Sequence, residues 1–419
     1  MKKKALFSIP ISLLLIAMIV TSFFLIHMKP NTKNVSQAHK LAVYTKSSVV
    51  RILDYATVKW SFDLSDQRVI NVLQKDDYKT SVSDLGSGVI ISSNGYIITN
   101  SHVLESSHIM TDDDIGTNAF DIIVNEVASA NNWDYDQTYD YMYKNTTYKV
   151  IEKGTSVYLP DVNESIKAEV KMNTSLTNAA QDVAVLKIDG KGFPTIPLGD
   201  SDSLQSQDQI WVIGYPAAAD SNLFSDDSLL VPTMNEGQIS AISKTTKQGT
   251  PVIQINAAAT HGNSGGPVID QNGKIIGLLT FRGDTVNGQE IQGFNFAIPV
   301  NTIKKYIDLL NVPHSSSNTD RLFKEGAELY WGGYYKDALL KFRTVQEIYP
   351  KYADINQFIS DSAQKSDSSK ILWTNYKEAF LQFYVISILI IISLLIYTFT
   401  SNSKQNVKNR TLTDQDKDG

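Results

Sequence analysis

A serine flanked by glycines is the residue of this chain best placed for nucleophilic chemistry. Ser264 lies in the string GNSGGP, residues 262–267. Glycines allow a tight, exposed turn, and successive backbone N–H groups in such a turn can converge on one point and bind an oxyanion. A strand-like run follows at Val268–Asp270, whereas the serine turn of α/β-hydrolases leads into a helix. The local pattern therefore predicts a nucleophile on a β-sheet scaffold and excludes the α/β-hydrolase arrangement.

A serine hydroxyl needs a general base, and the base needs an orienting acid. Among the six histidines, His102 is the one that ends a strand-like run, in GYIITNSHVL. Asp182 stands directly before the apolar run VAVLKI, where one carboxylate oxygen can be buried beside an imidazole. The order His102, Asp182, Ser264 is that of the chymotrypsin-type triad. Alternative interpretations stay open, since Asp182 alone could be a solvated strand start and His261 a loop side chain beside the turn.

The remaining histidines are poorer bases. His27 lies in or beside an apolar stretch, and His39 and His314 lie in polar linkers. His108 and His261 have no strand-end setting.

The segment around these residues has the pattern of an antiparallel β protein. Between residues 41 and 313, short alternating or apolar runs such as SVVRIL, QIWVIG and KIIGLLT are separated by turn residues. The dipeptides Asn94-Gly95 and Asn272-Gly273 are strong hairpin signals. Few helical periods intervene, which favours a sandwich or barrel over a parallel α/β sheet.

Four segments resemble the HtrA/DegP-like branch of the trypsin-like serine proteases. They are GSGVIISSNGYIITNSHVL, DVAVLKID, GNSGGPVIDQNGKIIGLLT and GFNFAIPV. The resemblance implies two six-stranded antiparallel barrels of the chymotrypsin type with the triad in the cleft between them. Ser264 would be the nucleophile, His102 the general base and then acid, and Asp182 the residue that holds the imidazole tautomer. The N–H groups of Gly262 and Ser264 would form the oxyanion hole, with Asn263 shaping the loop.

The resemblance also implies substrate-binding residues. Thr280, Phe281 and Arg282 match the strand that pairs with the substrate backbone in this family. Ala258 lies six residues before the nucleophile, where trypsin has an acid, so no carboxylate is expected there to pair with Lys or Arg. We therefore predict cleavage after small or medium uncharged residues such as Val, Ala or Leu.

The composition limits the classes of binding partner and cofactor that we expect. The 419 residues carry a net charge of −6, which argues against a nucleic-acid binder, and cysteine is absent, which excludes thiolate metal sites and a cysteine nucleophile. The triad chemistry needs no metal or organic cofactor. The expected partners are polypeptide substrates, and a homo-oligomer is compatible with the family resemblance.

Two uncharged stretches frame the chain. Ala5–Ile26 follows three lysines, and Ala379–Ser403 has the apolar centre FYVISILIIISLLIYTF. Each is long enough to cross a bilayer. An uncleaved anchor is favoured over a cleaved signal peptide at the N-terminus, because no small-x-small cleavage site is evident. The basic flanks place both termini in the cytoplasm and the region between the helices outside a bacterial cell membrane.

An acidic insertion separates His102 from Asp182. Residues 105–164 hold twelve acidic and three basic residues, a net charge of −9. A solvated loop and a lid or docking loop over the cleft are the two interpretations, and Asp121–Val127 could start a helix. Asp112–Asp114 does not have the spacing of an EF-hand loop, which favours a solvated acidic run over a calcium site.

A helical segment follows the β region. Residues 314–378 are too few for a PDZ domain, and Gly326, Ala338, Phe342 and Pro350 fall at the spacings of one tetratricopeptide repeat. A helical hairpin used as a spacer and a segment that binds a protein partner stay equal alternatives. The predicted order is a membrane helix at 5–26, a linker at 27–40, a protease domain at 41–313 with an insertion at about 105–165, the repeat-like segment at 320–366, a membrane helix at 379–400 and a cytoplasmic tail at 401–419.

These features predict a membrane-anchored serine endopeptidase that hydrolyses exported or misfolded proteins through an acyl-enzyme. The alternative is a non-catalytic chaperone or sensor that binds exported proteins through the barrels and the helical segment.

Overall fold

The computed structural model describes residues 2–27, 30–63, 65–73, 77–176, 181–217, 225–247, 249–280, 285–286, 289–290, 293–370 and 377–415. The chain divides into two compact units. The smaller unit consists of residues 1–32, 327–338 and 362–419, and the larger unit consists of residues 33–326 and 339–361.

The described secondary structure comprises helices and strands with the following bounds. The helices are α1 (Lys2–His27), α2 (Gln37–Thr45), α3 (Gln67–Leu73), α4 (Glu105–His108), α5 (Asp112–Asn131), α6 (Tyr135–Tyr143), α7 (Val300–Leu309), α8 (Asn318–Gly332), α9 (Tyr335–Ile348), α10 (Ile355–Gln364) and α11 (Lys377–Gln415). The strands are β1 (Val49–Phe62), β2 (Lys79–Ile90), β3 (Tyr96–Thr99), β4 (Thr146–Tyr158), β5 (Ser165–Asn173), β6 (Ala184–Lys187), β7 (Gln209–Gly214), β8 (Thr233–Thr245), β9 (Pro251–Ile255), β10 (Pro267–Ile269), β11 (Ile275–Thr280), β12 (Thr285–Val286), β13 (Gln289–Glu290) and β14 (Asn295–Pro299).

Twelve of the described strands form two closed antiparallel barrels in the larger unit. The first barrel has the strand order β1-β2-β3-β6-β5-β4, and the second has the order β10-β11-β14-β9-β8-β7. Strand β1 shows why such segments become strands, because its side chains alternate between buried and less buried positions along the sequence VVRILDYATVKWSF. The prediction of two six-stranded antiparallel barrels is confirmed.

The two barrels share one hydrophobic core. Residues of the first barrel such as Val89 and Val185 pack in the same cluster as Ile213 and Leu278 of the second barrel and Ile303 of α7. Each of these side chains exposes 2% or less of its surface, and burying such a side chain contributes about 1.5–3 kcal/mol. The shared cluster fixes the barrels against each other, and the edge between them is where the predicted triad lies.

The acidic insertion is a folded helical element rather than a solvated loop. Its first helix, α5, begins at Asp112, nine residues before the start that the sequence suggested. Thr111 caps this helix, and the Asp114 side chain accepts hydrogen bonds from the Thr111 N–H at 3.1 Å and the Thr111 hydroxyl at 2.6 Å. Three acids in the first turn are what a helix N-terminus favours, so helix capping explains the acidic run.

The insertion has a core of its own. Apolar side chains of α5 pack with α3, α6 and the extended ends of β1 and β2 around Trp60, which is 3% exposed. Five of the α5 side chains in this cluster are fully buried, namely Ile115, Ala119, Ile123, Val124 and Val127. The sequence pattern did not predict this packing because the partners of α5 come from a hairpin about fifty residues earlier.

The smaller unit holds the apolar helices. Within the described residues one helix is long and apolar enough to cross a membrane, Glu378–Thr400 in α11, with a mean hydropathy of 2.6, and α1 contributes a shorter apolar run, Ile9–Phe23. The Tyr384 hydroxyl of α11 lies 2.9 Å from the Thr21 hydroxyl and 2.8 Å from the Ser22 hydroxyl of α1. These hydrogen bonds join two otherwise apolar surfaces.

Part of the helical segment after β14 belongs to the larger unit, and a buried carboxylate attaches it there. Asp320, near the start of α8, is 3% exposed and accepts hydrogen bonds from the Thr195 N–H at 2.7 Å, the Thr195 hydroxyl at 2.9 Å and the Ser317 hydroxyl at 2.6 Å. Phe323 stacks on Tyr352 with ring centroids 4.2 Å apart. Residues 318–326 therefore pack against the loop that follows β6 instead of forming a loose linker.

The buried Asp320 predicts a pH dependence of stability. Burial raises the pKa of Asp320 from 3.8 to about 6, so the folded chain binds the proton more tightly than the unfolded chain. The resulting stabilisation is complete below about pH 4 and is lost as pH rises through about 6, a change on the order of 3 kcal/mol. We expect Asp320→Asn, which keeps an acceptor for the same donors, to remove this part of the dependence. Melting temperatures of the full chain in detergent, measured across this pH range, test it.

Asp189→Asn is the matched control, because Asp189 lies at the exposed end of the same loop. The Asp189 variant should follow the wild type at every pH. A difference between Asp320→Asn and the wild type that stays constant with pH would contradict the prediction.

Candidate active site

His102 and Asp182 are brought together by the pairing of two strands of the first barrel. Strand β3 ends at Thr99 and is followed by a 3-10 turn at Ser101–Leu104 that carries His102. Strand β6 pairs antiparallel to β3, with Thr99 opposite Ala184, which places Asp182 beside this turn. The imidazole Nδ1 lies 2.7 Å from Asp182 Oδ2, and the His102 N–H donates to Asp182 Oδ1 at 3.0 Å.

This contact determines which imidazole nitrogen can act as a base. An ionised carboxylate only accepts hydrogen bonds, so Nδ1 carries the proton and donates to Asp182. The other nitrogen, Nε2, then holds the lone pair that can accept a proton from a hydroxyl. The side chains of His102 and Asp182 are 28% and 24% exposed, so substrate can approach the pair while most of the surface of each side chain is buried.

Thr280 connects Asp182 to the second barrel. The Thr280 hydroxyl, at the end of β11, donates to Asp182 Oδ2 at 2.7 Å. The preceding residue, Leu279, accepts a hydrogen bond from the Gly265 N–H at 2.8 Å through its carbonyl. One strand end thus contacts both the acid of the predicted triad and the turn that carries Ser264. The sequence placed Thr280 among the substrate-binding residues, and its contact with Asp182 was not foreseen.

The turn around Ser264 is packed against the first barrel. Ser264 is 5% exposed, and its carbonyl accepts a hydrogen bond from the Ser87 N–H at 2.8 Å. The Ser87 hydroxyl donates to the Gly262 carbonyl at 2.7 Å and accepts from the Tyr215 N–H at 2.8 Å. A Cβ at Gly265 would lie 2.2 Å from both the Ser87 carbonyl oxygen and the Thr99 hydroxyl, so only glycine allows this approach.

Ser87 is a site residue that sequence reasoning missed. It is fully buried in the middle of β2 and bonds to three points of the second barrel. The one available signal was its position between Gly86 and Gly88 in a strand, because glycines inside a strand often mark a close approach of another backbone.

Two backbone N–H groups of the serine turn have no acceptor among the described residues. Gly262 has φ +88°, a value that favours glycine. The Asn263 N–H donates to the Thr260 carbonyl at 3.1 Å, whereas within the described part of the chain the N–H groups of Gly262 and Ser264 have no hydrogen-bond acceptor. Both are therefore available for a negatively charged oxygen. Asn263 is 3% exposed, and its role in shaping the turn stays a prediction.

The nucleophile and the base are not hydrogen-bonded to each other. Among the described residues, no hydrogen bond joins the Ser264 hydroxyl to the His102 imidazole. Catalytic hydrogen bonds of this kind often form only when substrate is bound. The structure therefore shows the His102–Asp182 pair formed and the serine turn held in place, without a hydrogen bond between them.

The other predicted substrate residues are placed differently. Ala258 is exposed beyond the end of β9, and its carbonyl accepts a hydrogen bond from the Asn235 amide at 2.9 Å. Phe281 and Arg282 lie outside the described residues, so their role stays a prediction. His261, interpreted from the sequence as a loop side chain beside the turn, is exposed, and its carbonyl accepts a hydrogen bond from the Ala217 N–H at 2.7 Å.

Comparison with known proteins shows what this part of the chain is similar to. Residues 86–278 match the family model described as "Trypsin-like peptidase domain". This segment is similar to serine proteases of the HtrA/DegP type. The match spans Ser87, His102, Asp182 and Ser264.

Curated relatives show the same similarity. "Probable periplasmic serine endoprotease DegP-like" of Pseudomonas putida (strain W619) is 29% identical over 228 residues, which cover 54% of this chain and 34% of the relative. "Serine protease Do-like HtrA" of Bacillus subtilis (strain 168) is 31% identical over 169 residues, 38% of this chain and 34% of the relative. The alignments thus span about a third of the length of these relatives. The solved structure "HtrA-type protease AlgW with decapeptide" is 23% identical with a TM-score of 0.43, covering 66% of this chain and 68% of that one.

Thr280 allows a direct test of the assembled acid and base. We expect Thr280→Val, which keeps the shape but removes the hydroxyl bonded to Asp182, to slow acylation of Ser264. A hydrogen bond to a charged group contributes about 1.5–3 kcal/mol, which corresponds to about a 10- to 100-fold loss of rate. Thr280→Ser is the matched control and should retain most of the rate, because it keeps the hydroxyl. Equal rates for the Val and Ser variants in a fluorophosphonate labelling assay would show that the bond contributes nothing.

Proposed function

We propose that this protein is a membrane-anchored serine endopeptidase that hydrolyses exported or misfolded polypeptides. The observation that carries the proposal is a combination of three features. Asp182 is bonded to His102 and Thr280, the His102 Nε2 has no partner among the described residues, and the N–H groups of Gly262 and Ser264 have no acceptor there. These are the parts that acyl transfer requires.

The first half of the reaction forms the acyl-enzyme. His102 Nε2 accepts the proton of the Ser264 hydroxyl as the oxygen attacks the carbonyl carbon of the scissile peptide bond. The developing oxyanion receives hydrogen bonds from the N–H groups of Gly262 and Ser264. Asp182 stabilises the imidazolium through its contact with Nδ1. The imidazolium then protonates the leaving amine, the C–N bond breaks, and an ester to Ser264 remains.

The second half releases the product. Water takes the place of the amine, His102 removes its proton, and the ester is hydrolysed through the same oxyanion site. Thr280 keeps Asp182 oriented through both halves, because its hydroxyl bonds the same carboxylate oxygen that receives His102 Nδ1.

The location of the domain is part of the proposal. The apolar run Glu378–Thr400 is 23 residues long, which matches the thickness of a bilayer, and the run Ile9–Phe23 in α1 would form a second crossing together with its flanking residues. Lysines at positions 2–4 favour a cytoplasmic N-terminus. The relatives from Pseudomonas are named periplasmic, which supports a catalytic domain outside the cytoplasmic membrane.

The activity is tested with a fluorophosphonate probe on the full chain in detergent. We expect the wild type to be labelled and Ser264→Ala not to be labelled, because the probe reacts only with an activated serine. His102→Ala should lower the labelling rate by about four orders of magnitude. Ser362→Ala replaces a fully buried serine of α10 and serves as a specificity control, since the label must remain on Ser264.

A different result would favour the non-catalytic alternative. If the folded wild type is not labelled, with or without an added unfolded polypeptide, the protease proposal is wrong. Retention of in-cell function by Ser264→Ala would lead to the same conclusion.

The specificity at the bond cleaved follows from Ala258. A site without a carboxylate at this position does not favour Lys or Arg, so we expect reporters ending in Val, Ala or Leu to be cleaved in preference to one ending in Arg. Ala258→Asp should raise cleavage of the Arg reporter relative to the Val reporter by at least about tenfold. Ala258→Asn adds the same volume without the charge and should not. The kcat/KM ratios of the two reporters provide the measurement, and preferential cleavage after Arg by the wild type would contradict the prediction.

A further inference from the structure

The chain on both sides of His102 is fixed to the first barrel by side-chain hydrogen bonds. Before the histidine, the Asn100 amide donates to the Asp182 carbonyl at 2.9 Å and the Ser101 hydroxyl donates to the Val183 carbonyl at 2.8 Å. After the histidine, the 3-10 turn runs directly into α4. The residues that bind α4 therefore also fix the chain that follows His102.

Two carboxylates bind the chain that follows His102. Asp54 of β1 accepts the Ser107 N–H at 2.7 Å on Oδ2, and its Oδ1 accepts the hydroxyls of Ser107 and, at 2.7 Å, Thr155. Asp84 of β2 accepts the Ser106 N–H at 2.9 Å and the Ser106 hydroxyl at 2.6 Å. Two successive residues are thus bound in the same way, each by its backbone and its hydroxyl. This pattern fixes the backbone position of Ser106 and Ser107.

The two acids lie side by side because of strand register. Asp54 pairs with Asp84 between β1 and β2, and with Thr155 between β1 and β4. Along β1 the buried positions alternate, and Asp54, which is 0% exposed, stands between the buried apolar residues Ile52 and Ala56. An apolar residue would fill that position without the cost of burying a charge. The carboxylate therefore contributes directed hydrogen bonds, which apolar packing alone does not provide.

No strong cation neutralises this pair. Within the described residues neither acid forms an ion pair with Lys or Arg, and the His108 Nδ1 lies 4.0 Å from Asp54 Oδ1. Asp84 from β2 and His108 from α4 are the titratable groups that face Asp54, and Lys153 of β4 acts on His108. The Lys153 ammonium itself pairs with Asp112 at 2.8 Å.

We propose that Asp54 and Asp84 are positioning residues for the catalytic base, which hold the chain after His102 so that its imidazole meets Asp182. This role rests on the proposed protease function. An ionised Asp54 accepts all three bonds, whereas a protonated carboxyl must donate one hydrogen bond itself. The hydroxyl of Ser107 or Thr155 then has to rotate, and the hold on α4 is weakened.

The protonation of Asp54 falls in a mildly acidic range. Burial, together with the charge of Asp84, raises the pKa of Asp54 from 3.8 to about 6. Because the folded pKa is raised, the ionised form costs stability above about pH 6. Asp54→Asn removes that cost while it imitates the protonated state, so it should not lower the melting temperature at neutral pH. A loss of rate in this variant would then reflect positioning rather than unfolding.

The kinetic test uses the labelling rate of Ser264 by a fluorophosphonate in the full chain in detergent, measured between about pH 5 and pH 8. At pH 8 the wild type should react about tenfold faster than Asp54→Asn. This ratio should fall towards one as pH falls through about 6, because Asp54 then becomes protonated and resembles the variant. Asp77→Asn is the control, since Asp77 pairs with Lys59 and Lys79 away from this turn; it should match the wild type. Equal rates for the wild type and Asp54→Asn across this range, at unchanged melting temperature, would overturn the proposal.

A second measurement does not depend on turnover. In full chains that carry Ser264→Ala, the proton between His102 Nδ1 and Asp182 is followed by its low-field NMR resonance. We expect Asp54→Asn to shift or broaden this resonance and Asp77→Asn to leave it unchanged. If the wild type is not labelled but the resonance responds to Asp54→Asn, the protease function fails and the positioning role stands. An unchanged resonance would reject the positioning role whether or not the wild type is active.

Discussion

The candidate active site depends on one carboxylate that receives hydrogen bonds from both barrels. Asp182 binds the backbone and ring of His102, which belong to the first barrel, and the hydroxyl of Thr280, which belongs to the second. Its oxygens are thereby committed to fixed donors, so the ring tautomer and orientation follow from the relative position of the barrels. That position is set in turn by the apolar cluster that the two barrels share. The contacts of the predicted triad thus follow from inter-barrel packing, although each member lies on a short local motif.

A second set of hydrogen bonds between the barrels also fixes a segment of the candidate site. Ser87 donates and accepts hydrogen bonds at the turn that carries Ser264, and the glycines of that turn lie so close to the first barrel that a Cβ at Gly265 would collide with its backbone. The buried Ser87 hydroxyl and the close backbone approach together fix the turn without using a side chain of the turn itself. In this arrangement the N–H groups of Gly262 and Ser264 have no acceptor among the described residues.

Two buried acids attach other elements to the first barrel. Asp54 holds α4, and Asp320 attaches the start of α8 to the loop at Thr195. In both cases burial raises the pKa to about 6, so each attachment costs stability at neutral pH that its hydrogen bonds must offset. Directional hydrogen bonds fix one geometry, which apolar contacts alone do not. This difference explains why polar anchors occur at junctions that have to be positioned accurately.

The sequence by itself determined the parts that depend on local chemistry. The glycine turn around Ser264, the strand-end setting of His102, the strand start at Asp182 and the alternating runs of the two barrels can be recognised from residue types and short spacings. The family resemblance added the roles of these residues. Ala258, Phe281 and Arg282 stay predictions about substrate binding.

Only the tertiary structure decided the features that join distant segments. The pairing of Asp54 with Asp84, their hold on Ser106 and Ser107, the link from Thr280 to Asp182 and the core of the acidic insertion all connect residues between about twenty and a hundred positions apart. A local pattern shows that a strand alternates but not which strand lies beside it or in which register. Register and burial arise when the whole chain packs, because the partners that satisfy a buried polar group come from other strands and helices.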